Sequence, residues 1–243
     1  MRVIEAAGQT AGQRDDAARA PSGPDVISPA ASPGEHQFAS RLRDTLAARH
    51  ALQAAHQQDA RSADAETLHA ARKAGGKHTV TYLASLLGDD WTLIRGYQNS
   101  YGGIGQILFS AHGVVAMTSL HLDATVHCHG DTWRAERFGH DGKLLGQTRL
   151  VDQAGRSPST QLNQAADTLE QLLRSQGTQI SVLRVVLLNH PRSRLEDHQR
   201  PAVQIFASPY DLARWLKELP KTLDRAGRRQ IEHLLTPGEH DKA

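Results

Sequence analysis

Four side chains that can bind a metal ion lie within nine positions, namely His121, Asp123, His127 and His129. Because side chains alternate along a strand, His127 and His129 would share one face of a strand over 124–129. Imidazole nitrogens are common ligands of Zn²⁺ and Ni²⁺, although two imidazoles need further ligands at compatible geometry. The pattern fits either a solvent-facing histidine pair on a hairpin or a metal site to which Asp123 could add a carboxylate.

A second group of chemically useful side chains occupies the stretch Arg156-Ser157-Pro158-Ser159-Thr160-Gln161, at the start of an amphipathic helix predicted over 159–176. Ser157 suits the N-cap position and Pro158 the first helical position. Free backbone N–H groups, hydroxyls and an arginine at a helix start suit a phosphate, although an ordinary capped helix start has the same residues. The candidate phosphate- or nucleic-acid-binding residues are therefore Arg156, Ser157, Ser159 and Gln161.

Two basic clusters could add phosphate contacts, and they are Arg192 with Arg194 and the group Lys221, Arg225, Arg228 and Arg229. The second cluster interleaves with Asp224 and Glu232, as the solvated face of a helix also does. A basic patch can exist on a protein whose total charge is close to zero. These clusters therefore stay secondary candidates for contact with DNA or RNA.

Several other chemistries are excluded by what the sequence lacks. Cys128 is the single cysteine, so an intramolecular disulfide and a Cys-rich zinc or iron–sulfur site are excluded. Within a predicted strand, Cys128 is expected to be a small buried hydrophobic residue. The chain has no phosphate-binding loop, no dinucleotide-binding fingerprint and no Gly-x-Ser-x-Gly motif. The glycine-rich run Tyr101-Gly102-Gly103-Ile104-Gly105 is predicted to be a hairpin turn.

The elements that must position these residues follow from the hydrophobic pattern. Strands are predicted over 91–96, 104–110, 114–120, 124–129, 133–138, 182–188 and 203–206, and helices over 77–87, 159–176, 208–218 and 222–235. This order predicts an α/β (α+β) fold with a central mixed β-sheet and flanking helices.

The N-terminal third differs in composition from the rest. Residues 1–34 contain no leucine and no aromatic residue but four prolines, which predicts a disordered tail. Residues 35–75 are predicted to form a helical arm or linker, and Gly75-Gly76 to separate it from the next helix. The expected domain, residues 76–236, is followed by a disordered C-terminus over 237–243.

Composition narrows the class of protein and its location. The 28 Lys and Arg residues against 26 Asp and Glu residues give a net charge of +2, which argues against a polybasic nucleic-acid coat protein and against an acidic tail. No apolar run is long enough to span a membrane, and Arg2 is followed by no apolar signal region, so we expect a cytoplasmic protein without a membrane partner. The abundance of Ala, Arg, Gln and His is typical of a GC-rich bacterial genome.

Residues 76–235 resemble the nuclease-related domain (NERD) family of the PD-(D/E)XK nuclease-like fold. The resemblance rests on Gly103–Phe109 with His112–Ala116, on Thr125–Trp133, and most specifically on Gly155–Asn163 running into Ala165–Leu169. It implies a restriction-endonuclease-like core and phosphodiester hydrolysis assisted by Mg²⁺ or Mn²⁺. In this chemistry the metal activates water and neutralises charge on the phosphate, and a lysine adds a positive group.

The residues that would carry this chemistry are missing from the matching positions. Lys77 stands where the family has a helix glutamate, and Gly105 where it has a strand aspartate. The Glu-x-Lys positions are Thr118 and Leu120. None of these four residues offers the anionic oxygen that a hard cation prefers. The chain is therefore expected not to be a catalytic nuclease, and no cofactor is expected.

Three functions stay open. The leading hypothesis is a catalytically inactive nuclease-related scaffold that binds the DNA or RNA phosphate backbone, or a partner protein through the helical arm over 35–73. The first alternative is a metal-dependent nuclease with relocated ligands, drawn from Asp123, Asp131, Glu136 or the histidines, which would use Mg²⁺ or Mn²⁺. The second alternative is a purely structural protein–protein interaction module.

Overall fold

The structure, a computed structural model, describes residues 1–6 and 33–236, and the side chains of residues 1–6 and 46–236. Residues 1–6 and 63–236 belong to one compact unit, and residues 33–62 belong to a second. The strands are β1 (Arg2–Glu5), β2 (Thr92–Asn99), β3 (Gly102–Ser110), β4 (Gly113–Leu120), β5 (Thr125–His129), β6 (Thr132–Phe138), β7 (Leu144–Arg149), β8 (Val182–Leu188), β9 (Arg194–Gln199) and β10 (Gln204–Phe206). The helices are α1 (Pro33–Leu86), α2 (Pro158–Ser175), α3 (Pro209–Glu218) and α4 (Arg225–Leu235).

The strands form two mixed sheets, which confirms the mixed α/β class but not a single central sheet. The larger sheet has the strand order β1-β2-β3-β4-β8-β10, and the smaller has the order β7-β6-β5-β9. In the larger sheet β2, β3 and β4 are antiparallel, while β8 is parallel to both β4 and β10. After β4 ends at Leu120, the chain leaves the larger sheet, and β5 pairs with β6 and β9 instead. The hairpins predicted from sequence are therefore divided between two sheets.

The N-terminus departs from the expectation of a disordered tail over 1–34. Arg2–Glu5 form β1, which pairs in parallel with Thr92–Arg95 at the edge of the larger sheet. Ile4 is buried against the core, and the backbone N–H of Arg2 donates to the Trp91 carbonyl. An edge strand is held mainly by main-chain hydrogen bonds and needs few apolar side chains, so the composition of residues 1–34 did not predict it. The expectations for residues 7–32 and 237–243 lie outside the described residues.

Helix α1 is continuous through Gly75 and Gly76, so the predicted helix break there is wrong. A β-carbon built on Gly75 would stand 2.3 Å from the carbonyl oxygen of Ser119, which no side chain tolerates. Glycine is present because the helix backbone approaches β4 closely, and not because the chain turns. At this point α1 passes from one face of the larger sheet to the other.

Two hydrophobic clusters cover the faces of the larger sheet. The first combines one sheet face with α2 and the inner side of the smaller sheet, and includes Leu68, Leu169 and Trp133. The second lies between the opposite face and α3, and includes Leu83, Met117 and Leu212. Among the described residues, no helix combines the length and the apolar character that a membrane crossing requires.

Candidate functional site

A pocket opens where glycines replace side chains on β2 and β3. Arg95 pairs with Gln106 and Tyr97 with Ile104, so Gly96 and Gly105 stand opposite each other between these pairs. Gly96 has a φ of 69°, a conformation that favours glycine. The cavity has a volume of about 260 Å³, and we name it the glycine pocket. Its lining consists of Arg72, Gly96, Gln98, Gly103, Ile104, Gly105, Gln106, Thr118, Ser119 and Gln161.

The glycine pocket contains two of the four positions at which the resemblance to the nuclease-related domain family predicts metal-binding residues. Gly105 and Thr118 both line it, whereas Leu120 is buried in the first hydrophobic cluster and Lys77 is exposed. Among the described residues that line the pocket, Arg72 is the only charged one. A site for a divalent cation would present carboxylates here, and this one presents a guanidinium.

Two hydrogen bonds within the lining occupy the side-chain oxygens of Gln106 and Gln161. The Ser119 hydroxyl donates to Oε1 of Gln106 over 3.1 Å, and Nη1 of Arg72 donates to Oε1 of Gln161 over 2.5 Å. The amide nitrogen of Gln106 and the hydroxyl of Thr118 remain as donors. Gln106 and Thr118 are 2% and 4% exposed, so these groups lie in a recess and not on the open surface. The polar lining therefore suits a ligand that is rich in acceptor oxygens.

Arg72 is the residue that sets the charge of this pocket. Burial lowers the pKa of its guanidinium to about 10, while Asp152 opposes this shift and Arg156 adds to it. Arg72 therefore stays charged at neutral pH. Its Nε atom is buried without a hydrogen-bond partner among the described residues. A buried charged donor without a partner is costly, so the surroundings of Arg72 do not fully satisfy its charge.

The four site residues predicted from sequence are near one another at the start of α2, but most already have internal partners. Nε and Nη2 of Arg156 each donate to Oδ2 of Asp152 over 2.9 Å. Ser157 caps α2 by accepting from the Thr160 backbone N–H over 3.1 Å. Gln161 donates from Nε2 to the Arg156 carbonyl over 2.8 Å and alone among the four lines the glycine pocket.

Ser159, the fourth predicted residue, connects the helix to the smaller sheet. It is fully buried, donates to Oδ1 of Asp131 over 2.6 Å and accepts from Nε1 of Trp133 over 2.9 Å. These bonds use its hydroxyl in holding α2 on the sheet. Arg156 lies outside the glycine pocket but lines a larger neighbouring cavity, to which Arg72 also belongs.

Sequence reasoning missed Arg72 and Gln106. Gln106 was a polar residue inside an apolar strand run, and this was a usable signal, because an isolated amide in a buried strand requires a partner. Arg72 gave no local signal, because several Arg and Lys residues occur along the same helix. Only the path of α1 brings Arg72 beside Gln161.

The histidines and carboxylates considered as metal ligands lie mainly in separate ion pairs. His127 lies 3.3 Å from a carboxylate oxygen of Glu136 and 3.9 Å from one of Asp197, and Asp123 forms an ion pair with Arg192. In the parts of the chain that the structure describes, no group of three or more His, Cys, Asp or Glu residues is placed to hold a metal ion.

The second predicted basic cluster lies partly around a separate cavity of about 360 Å³. Arg225, Arg228 and Arg229 line it together with Arg2, but so do the acidic residues Asp89, Asp90 and Glu232. Carboxylates therefore offset most of the positive charge there, whereas the described lining of the glycine pocket contains no carboxylate.

No protein-family model, no curated protein and no solved structure matches the chain. The resemblance to the nuclease-related domain family therefore stays a prediction.

Proposed function

We propose that the chain is a catalytically inactive relative of the nuclease-related domain proteins, with a restriction-endonuclease-like core, and that it binds a nucleic-acid phosphate in the glycine pocket. The observation that carries this proposal is the charge of the lining. Gly105 and Thr118, which the resemblance matches to metal-binding positions, line the same cavity as Arg72, without a carboxylate among the described lining residues.

The chemistry of the lining supports an oxyanion over a metal ion. A guanidinium is a strong partner for phosphate because it is planar, permanently charged and able to donate two parallel hydrogen bonds. Arg72 lines the pocket with its guanidinium, and Gln106 and Thr118 add neutral donors in the same recess. The guanidinium would repel a cation, and the described lining offers it no carboxylate ligand. Binding of DNA or RNA in the cytoplasm, without hydrolysis, is the function that this arrangement supports best.

The test is fluorescence anisotropy of end-labelled DNA and RNA oligonucleotides from about 50 to about 200 mM salt, with Mg²⁺ and then with EDTA. We expect binding that weakens with salt, is stable over time and is indifferent to EDTA. Arg72→Gln should weaken binding and reduce the slope of log affinity against log salt by about 1. Arg214→Gln is the matched control, because Arg214 is exposed on α3 and lies outside the lining.

Three outcomes would contradict the proposal. A slow, Mg²⁺- or Mn²⁺-dependent fall in anisotropy would indicate strand cleavage and favour the nuclease with relocated ligands. An equal loss for Arg72→Gln and Arg214→Gln would show that binding depends on total charge and not on the pocket. A flat trace with DNA and RNA would remove nucleic acid as a direct partner and favour a protein partner or a structural module, for which the exposed residues 46–62 of α1 are available.

A further inference from the structure

A larger cavity adjoins the glycine pocket and shares Arg72 with it. It has a volume of about 790 Å³ and lies between α1 and the loop that precedes α2. Ala65, Leu68 and His69 of α1 line one side, and Asp152, Ala154 and Arg156 of the loop line the other. We name it the loop cavity. Arg72 therefore belongs to the lining of two adjacent spaces.

The two spaces differ in size and chemistry. The glycine pocket is small and its polar lining is rich in donors, whereas the loop cavity falls within the range of about 300–1,000 Å³ that is typical of small-molecule sites. Ala65, Leu68 and Ala154 give the loop cavity apolar surface, and His69 adds a flat ring. Glu66 and Gln153 complete the lining, in which the carboxylates of Glu66 and Asp152 balance the charges of Arg72 and Arg156. A ligand that fills both spaces has an oxyanion at Arg72 and a bulkier, partly apolar body beside it.

We propose that the loop cavity binds the nucleoside next to the phosphate held by Arg72. This inference rests on the proposed function, and it specifies that the ligand is an unpaired nucleotide. An unpaired base exposes apolar faces and free polar edges, which can pack on the aliphatic side chains and on His69. A base inside a duplex is paired and stacked, so it cannot enter a cavity without being extruded.

The first measurement compares three labelled probes on the wild-type protein, namely a single strand, an abasic strand of the same length, and a duplex. We expect the single strand to bind about tenfold more tightly than the abasic strand, because contact with one base contributes on this scale. The duplex should bind no more tightly than the abasic strand. This comparison needs no variant, so it does not depend on the folding of a mutant.

A substitution that fills the loop cavity provides the second measurement. Ala154 is exposed in the loop and lines the cavity, so Ala154→Trp should occupy the space without entering the hydrophobic core. We expect Ala154→Trp to lower affinity for the single strand to that of the abasic strand, and to leave abasic binding unchanged. Ala202→Trp is the matched control, because Ala202 is also an exposed residue between elements but lies outside the cavity.

The outcomes separate this inference from the proposed function. If Arg72→Gln weakens all probes while the single and abasic strands bind equally to the wild type, the phosphate site stands and the nucleoside site is wrong. If Arg72→Gln changes nothing, the phosphate site itself is wrong. If a free mononucleotide competes at concentrations similar to those of the strand, the natural ligand is a free nucleotide. If it does not compete while the single strand still binds more tightly than the abasic strand, the natural ligand is a strand.

Discussion

A β-carbon built on Gly75 of α1 would stand 2.3 Å from the carbonyl oxygen of Ser119 on β4. Hydrogen bonds also hold the helix in this position, because the side-chain amide of Asn189 donates over 2.8 Å to the Gly75 carbonyl and over 2.8 Å to the Thr79 hydroxyl. Asn189 is 3% exposed, so these bonds are shielded from water. The approach fixes where α1 crosses the sheet and, three residues earlier on the helix, where Arg72 lies.

This contact predicts that Gly75→Ala is destabilising. A methyl group would meet main-chain atoms that cannot move aside, and overpacking of this kind costs about 1–3 kcal/mol or more of the free energy of unfolding. Gly76→Ala is the control in the same turn, because its nearest neighbour is the movable amide of Gln106 at 3.3 Å. Because alanine has a higher helix propensity than glycine, Gly76→Ala should raise the free energy of unfolding by up to about 1 kcal/mol. Urea unfolding followed by tryptophan fluorescence measures the stability of both variants. Equal unfolding midpoints for Gly75→Ala and Gly76→Ala would contradict the prediction.

The hydroxyl of Ser159 predicts a second stability effect. Ser159→Ala would leave the indole N–H of Trp133 without its acceptor, and Trp133 is 1% exposed. An unsatisfied buried donor costs about 1–3 kcal/mol. Ser175→Ala, at the exposed end of the same helix, should change stability by no more than about 0.5 kcal/mol. Chemical denaturation of the two variants tests the difference, and a Ser159→Ala protein as stable as the wild type would refute it.

A cluster of three imidazoles predicts a loss of stability in mild acid. His78 and His121 are parallel with ring centroids 4.1 Å apart, and His190 meets His121 edge-on at 4.6 Å. Burial and then the neighbouring charge of His121 lower the pKa of His190, although Asp123 opposes the shift. The folded state therefore binds fewer protons than the unfolded state, so stability is complete above about pH 6.5 and is lost as pH falls below it.

Thermal unfolding measured from about pH 7.5 to about pH 5.5 tests this sign. His190→Asn should reduce the decrease in melting temperature on the acid side, because it removes the group with the lowered pKa. His140→Asn, at an exposed hairpin position, should keep the dependence of the wild type. A His190→Asn protein with an unchanged pH profile would show that other groups cause the decrease.

The single thiol predicts slow thiol–disulfide exchange in the native protein. Cys128 is fully buried, and its pKa is raised to about 11 by burial and by the charge of Asp131. The reactive thiolate is therefore scarce and inaccessible at neutral pH. A chromogenic disulfide reagent should react fully in denaturant and far more slowly with the native chain. Rapid reaction of the native protein would place Cys128 at an accessible surface and contradict its position in the core.

Local pattern was sufficient to predict the elements that bury an apolar face. Helix α2 was predicted over 159–176 and is found at Pro158–Ser175 with the predicted cap, Ser157. The strand over 182–188 was predicted with its bounds. In contrast, β7 and β9 were missed because nearly all of their residues are exposed, so they carry no alternation of apolar and polar residues.

The candidate site was only partly predictable for a different reason. Gly105, Thr118 and Gln161 were singled out from sequence and line one pocket. Arg72 was not, because its position depends on a helix crossing that requires contact between Gly75 and Ser119, which are distant in sequence. Arg156 and Ser159 were assigned to a phosphate, whereas their partners Asp152 and Asp131 became evident only in three dimensions.

The crossing of α1 also couples the two faces of the larger sheet. Leu68 and Ala71 belong to one hydrophobic cluster, and Leu83, on the same unbroken helix, belongs to the other. Neither cluster can lose its part of α1 without the helix fraying toward the other cluster. The backbone amide protons of residues in both clusters should therefore exchange through a single opening reaction. Their exchange rates should show the same dependence on denaturant concentration.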